Sequence, residues 1–237
     1  MKKTVILGLI ALFATGFCAK AQDTARTKKD DNHLIIKNRL FADFFYTYWF
    51  GLPEGVQQQG FNRGCNVAFI YDMPIRKNSP LSFGLGVGVC SHNLYSNAFS
   101  YIDPQYNVVM TPLPEQTEYT VNKLSFTYVH IPLEFRYFNP KNNFKACLGI
   151  RVGLIADVHS KYVGSNADVL QYQVGNGRDV RIKSDKFPNR TKMPVELTFH
   201  TGWKYFDFNA SYMLTKYFEE GNPQVYPFSL GFSIALY

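Results

Sequence analysis

VYPFSLGFSIALY, Val225 to Tyr237, is the stretch that decides the fold. Tyr226, Phe228, Leu230, Phe232, Ile234 and Leu236 share one parity, and Pro227, Ser229, Gly231, Ser233 and Ala235 share the other. Successive side chains of a strand point to opposite faces, so this segment is a strand with one apolar face and one small or polar face. An unpaired strand edge is a liability, and pairing the last strand with the first of the same sheet removes it by closing a barrel. A barrel needs a countable set of similar strands, and the chain upstream supplies seven more.

The first, Arg39 to Phe50 (RLFADFFYTYWF), sets Leu40, Ala42, Phe44, Tyr46 and Tyr48 against Phe41, Asp43, Phe45, Thr47 and Trp49. Strands two to four are expected at Phe61 to Tyr71, Leu81 to Asn93 and Asn122 to Phe138, and the fifth follows the tight turn NPKNN at 139 to 143. Strand six covers Thr191 to Lys204 and strand seven runs from Phe206 to Thr215. The odd-numbered connections, 51 to 60, 94 to 121, 161 to 190 and 219 to 224, include the two long loops, while the even-numbered ones are short turns. Long loops on one rim and short turns on the other is the arrangement of outer-membrane barrels.

The amino terminus agrees. Lys2 and Lys3 precede an apolar run from Val5 to Phe17, and Ala19-Lys20-Ala21 offers a cleavage site before Gln22. This reads as a cleaved signal peptide over residues 1–21, too short in its apolar run for a membrane helix. Phe17 before Cys18 departs from the small residue that precedes a lipid-bearing cysteine. Residues 22–38 are polar and aperiodic, a flexible periplasmic leader, and 39–237 form the barrel. Cleavage removes three lysines and no acid, taking the formal charge from +7 to +4. Scattered solvated Lys and Arg account for that, and no nucleic-acid partner is implied. Cys65, Cys90 and Cys147 lack C-x-x-C spacing, which argues against a disulfide framework or a zinc site.

Alternation alone fits a membrane barrel and a soluble lipocalin-like binder equally, so composition decides. The non-apolar face is Gly, Ser, Ala and Thr with single charges at Asp43, Glu134, Arg136, Arg151, Asp157 and Glu196. A narrow eight-stranded lumen needs small residues and paired ions, whereas a solvated exterior is richer in Lys and Glu. Tyr46, Tyr48, Tyr137, Trp203, Tyr212 and Tyr226 lie towards strand ends of the apolar face, as in an interfacial girdle. The expected fold is therefore all-β, an eight-stranded antiparallel up-and-down transmembrane barrel in the outer membrane.

The signal peptide, the eight strands, YVHIPLEFRYF (Tyr128 to Phe138) and the terminal SLGFSIALY together resemble the PorT-like family of small outer-membrane β-barrel proteins of Gram-negative bacteria. That resemblance implies a role in protein secretion or surface assembly, with outer-membrane or secretion proteins as partners. Tyr237 departs from the usual assembly signal, because its parity opposes that of the apolar residues.

The six lumenal charges must pair, since an isolated buried ion is very costly, and a salt-bridged plug is the expected role. His130, His159 and His200 share the inward parity on separate strands without local ligand spacing, so no metal and no cofactor is expected. Ser91 and His92, and His159 and Ser160, are adjacent and point to opposite faces, and no G-x-S-x-G or H-E-x-x-H occurs. A non-enzymatic barrel is the reading. A lipid-modifying barrel enzyme is the alternative. Binding falls to the loops: the second carries Arg178, Arg181, Lys183, Lys186 and Arg190, a basic surface suited to lipopolysaccharide phosphates, with outer-membrane lipid around the wall.

Overall fold

The computed structural model describes residues 38–76, 79–115, 117–165, 179–185, 187–219 and 223–236. The expected signal peptide, the expected leader up to residue 37 and Tyr237 lie outside the described residues. Eleven strands occur in this order: β1 Asn38–Phe50, β2 Arg63–Pro74, β3 Leu81–Tyr95, β4 Ala98–Ile102, β5 Val108–Pro112, β6 Tyr119–Asn139, β7 Phe144–Ser165, β8 Asp179–Asp185, β9 Val195–Trp203, β10 Phe206–Met213 and β11 Tyr226–Leu236. Eight of them, β1, β2, β3, β6, β7, β9, β10 and β11, form an antiparallel ring. The closing contact is the one the terminal strand requires: β11 pairs β1 from Leu40↔Leu236 to Phe50↔Tyr226.

The short turns, 75–80, 140–143 and 204–205, lie on one rim, and the long connections lie on the other. At the tightest turn Lys204 adopts φ 50, the left-handed conformation that a two-residue hairpin demands of its first residue. Both chain ends of the barrel return to the same rim, where the Ala235 amide donates to the Tyr205 carbonyl at 2.8 Å.

Outside the wall is a continuous apolar belt. Phe44, Val87, Ile131, Ile150, Phe208 and Phe232 are among its outward, exposed members. On β6 the belt runs from Val129 to Tyr137. At about 3.4 Å per residue and a tilt of about 40°, those eight steps give roughly 21 Å between end Cα atoms, and side chains extend this to the roughly 25 Å apolar band of a membrane barrel.

Two expectations are corrected. The loops at 94–121 and 161–190 are not merely loops: β4 and β5 form a separate hairpin, Leu94 and Tyr95 belong to β3, β6 begins at Tyr119, and β7 continues to Ser165 and pairs with β8. β6 and β7 therefore reach 21 and 22 residues, about twice the length needed to span the bilayer. The second correction is one of register. Thr127 pairs with Asp157 but Tyr128 pairs with Ile155, so β7 carries one extra residue there, a β-bulge. Beyond it the parity of β7 inverts. Asp157 and His159, expected in the lumen, face outward, while Val158, Ser160 and Tyr162 point inward.

Candidate functional site

The lumen fills in three layers, each set by which inward positions carry which residue type. Nearest the short turns is an ionic layer. Arg39 Nη2 donates to Glu134 Oε2 at 3.2 Å, Arg136 Nη1 donates to Asp72 Oδ1, and Arg136 Nε lies 3.5 Å from Glu134 Oε2. Lys145 Nζ lies 2.9 Å from Asp207 Oδ1.

The middle layer centres on Arg151. Its guanidinium donates to Asp43 Oδ2 at 2.7 Å and to Glu196 Oε2 at 3.4 Å. Asn66 Nδ2 donates to Asp43 Oδ2 at 2.8 Å, and the Tyr128 hydroxyl donates to Glu196 Oε2 at 2.5 Å. His130 Nε2 lies 2.7 Å from Asn66 Oδ1 and His200 Nε2 lies 3.4 Å from Asp43 Oδ1. Among the described residues, five carboxylates (Asp43, Asp72, Glu134, Glu196, Asp207) and four cations (Arg39, Arg136, Lys145, Arg151) are buried in the wall's interior. Near-neutrality by mutual pairing is what makes so many buried ions tolerable.

The third layer, towards the long connections, is an aromatic stopper. Phe126 and Tyr217 stack at 4.1 Å, Trp49 packs on both at 5.3 and 5.6 Å, and Phe218 meets Phe126 edge-on at 5.5 Å. Val56, Met110, Phe187 and Val225 complete this core from the connections themselves.

Of the sequence-predicted lumenal charges, Asp43, Glu134, Arg136, Arg151 and Glu196 are buried together, and Asp157 is not: it lies outside, 2.5 Å from His159 Nδ1. Arg39, Asp72, Lys145 and Asp207 were missed, although all four lie on the inward parity of their strands and alternation alone would have found them. Two groups bring metal-type donors within 4.8 Å of one another, Cys90–His92–Glu196 and Glu134–Cys147–His200. In each the carboxylate is already held by guanidinium, Glu196 by Arg151 and Glu134 by Arg39 and Arg136, so a cation placed there meets positive charge.

Of the basic loop residues, Arg181 and Lys183 lie on β8 and face outward. Arg190 lines a lateral cleft, and Arg178 and Lys186 lie outside the described residues. The cleft exists because β7 changes partner. It pairs β9 only as far as Val152↔Val195 and β8 only from His159↔Asp185, which leaves residues 153–158, the stretch that contains the bulge, between. The opening, about 820 Å³, is floored by Leu154, Ile155 and Phe187 and rimmed by Asp157, Arg190 and Lys192.

No family model and no curated protein matches the chain, so the PorT resemblance gains no support from them. Among solved structures, Ail, the attachment invasion locus protein of Yersinia pestis in complex with the heparin analogue sucrose octasulfate, matches at 11% identity over 84% of this chain and 97% of Ail, with a TM-score of 0.37. No residue role passes across at that level.

Proposed function

We propose that this chain is a non-enzymatic integral outer-membrane barrel that presents its long-connection rim as a binding surface. The observation that carries this reading is the pairing of an apolar exterior with a filled, ion-paired interior. Phe232, at 71% exposed, Phe44, Val87 and their neighbours point away from the lumen towards lipid, since a solvated wall does not expose so large a continuous apolar area. A lumen closed by three layers of side chains leaves no path for solute, as expected for eight strands.

The geometry also weighs against hydrolysis. Thr47 Oγ1, His92 and Glu196 lie in series, with Thr47 Oγ1 3.4 Å from His92 Nδ1 and His92 Nε2 3.7 Å from Glu196 Oε1. A hydroxyl, an imidazole and an acid in that order is the grouping of a nucleophile, base and orienting acid. All three are sealed beneath the aromatic stopper at 1% exposure or less, so no substrate reaches the hydroxyl. The PorT resemblance makes secretion or surface assembly the finer reading of the rim's role, with another outer-membrane protein as its partner.

The test is reconstitution. The folded chain should need detergent or lipid to stay in solution, insert into phospholipid vesicles, and leave a planar bilayer electrically silent. Stable dispersal in buffer alone would overturn the membrane reading, and steady conductance would overturn the closed lumen.

A further inference from the structure

Above the apolar belt the extended wall of β3, β6, β7 and β8 carries a row of cations fixed by backbone pairing. Tyr95 pairs with Lys123, Lys123 with Lys161, and Lys161 with Lys183. All four are on the outward parity, the inward neighbours being Leu94, Leu124 and Ser160, which are buried. Directly opposed residues of neighbouring antiparallel strands have Cβ atoms about 4.5–5.5 Å apart, and like charges there repel. Three lysines in consecutive cross-strand positions therefore destabilise this sheet unless an anion lies across them.

Among the described residues no carboxylate is ion-paired with these lysines. Asp157 is engaged by His159 at 2.5 Å, and Asp185 lies one row nearer the belt, opposite His159. Lys123 Nζ donates to the Asn93 amide oxygen at 3.1 Å. Two further cations extend the row. Arg181 stands opposite Val163, one row above Lys183, and Arg63 lies with its guanidinium carbon 5.8 Å from the Tyr95 ring, the same distance as Lys123 Nζ. The half-buried Tyr95 ring thus holds two positive charges over it by cation–π contact, fixing them at this end of the row for the acidic substituents of a sugar.

Height selects the ligand. From Val129, the last belt residue of β6, to Lys123 is six residues, about 20 Å along the strand and about 15 Å along the barrel axis. The polar headgroup layer of one leaflet is only about 5–7 Å thick. The row therefore stands beyond phospholipid headgroups and faces sideways, into the layer that the saccharides of surface glycolipids occupy.

We infer that Lys123, Lys161 and Lys183, with Arg63, Tyr95 and Arg181, bind the phosphorylated saccharide of an outer-leaflet glycolipid lying against the barrel wall. The inference rests on the membrane reading above and goes further in naming a site and a ligand class. Purified protein in mild detergent is titrated with a phosphorylated lipopolysaccharide, with the same lipopolysaccharide after enzymatic dephosphorylation, and with its saccharide freed of lipid, by native mass spectrometry. The K123Q/K161Q/K183Q variant should bind the phosphorylated form at least tenfold more weakly than wild type, and wild type should bind the dephosphorylated form at least tenfold more weakly too. Raising salt from 50 to 300 mM should erase most of the difference, because these charges are exposed. The variant's cold and heated mobilities on SDS gels show that it folds, and failure of the membrane reading would show separately as a wild type that needs no detergent. Equal binding by wild type and variant, or indifference to phosphate, overturns the inference. Full-strength binding of the lipid-free saccharide overturns the lipid-borne source.

Discussion

Arg151→Met is the sharpest test of the ion-paired lumen. The guanidinium is 2% exposed and is shared between Asp43 at 2.7 Å and Glu196 at 3.4 Å, carboxylates that are each 1% exposed. Met fills a similar volume, so the loss is electrostatic and not a cavity. Breaking a buried pair by removing one partner costs about 3–5 kcal/mol, because the remaining charge has no compensation. Here two carboxylates lose their shared guanidinium and keep polar neighbours such as the Asn66 amide at 2.8 Å, the Tyr128 hydroxyl at 2.5 Å and the His200 ring at 3.4 Å, so the expected loss is about 3–5 kcal/mol. Arg151→Lys keeps a charge but one ammonium cannot span both carboxylates, so a single charged hydrogen bond is lost, about 1.5–3 kcal/mol. The triple variant D43N/R151M/E196Q removes the whole charge group and should return to within about 1–2 kcal/mol of wild type. Urea unfolding from phospholipid vesicles reads all three. Trp49 emission reports the interior, and Trp203, in the belt at the short-turn rim, reports the lipid contact. An R151M barrel within 0.5 kcal/mol of wild type would refute the reasoning, since it would mean that water reaches Asp43 and Glu196 and the lumen is wet.

Phe232→Arg places a charge in mid-belt between Phe44 and Phe208 and should cost about 2–4 kcal/mol in vesicles, with a neutral result in the same assay pointing to a water-facing wall. Gly88→Ala drives a Cβ to 2.6 Å from the His130 ring, whose Nε2 is held by Asn66 at 2.7 Å; the overpacking should cost about 1–3 kcal/mol, and an unchanged urea midpoint would show that the ring moves freely. Tyr217→Ala removes the face of the Phe126 stack at 4.1 Å and should lower stability by about 3–5 kcal/mol, red-shift Trp49 emission and raise its quenching by acrylamide, yet leave planar bilayers silent because both ionic layers remain below. Unaltered Trp49 quenching in Y217A would contradict the stopper.

The ring was legible because its strands keep a period of two, broken in β7 only at the bulge, and VYPFSLGFSIALY finds its partner in the first strand. The loop rim was not, for a physical reason. Phe187, Tyr217 and Phe218 are buried in the mouth by chain that has no repeating pattern, so nothing local marks them as core. Asp157 was misplaced because alternation was carried through position 155, where the apolar Ile155 on the polar parity was the one visible trace of the bulge. Arg39, Asp72, Lys145 and Asp207 were legible by parity but sit near strand ends, where a charge also reads as the start of a turn. The lysine row needs register as well as sequence, since Lys123, Lys161 and Lys183 become neighbours only through three aligned strands.

The ion pairs of the lumen that join strands far apart in the ring also set the order of assembly. Arg39 meets Glu134 across 95 positions of chain, and Arg151 meets Asp43 across 108. No single hairpin contains either pair. A partly curled sheet therefore holds unmatched charges facing its own concave side, and the gain from matching them arrives only as the sheet curls far enough to bring β6 and β7 across the lumen from β1. Closure then behaves as an all-or-none event, late in folding and first in unfolding, so that partly closed forms are sparsely populated and a cell's quality-control proteases meet either an open chain or a sealed barrel.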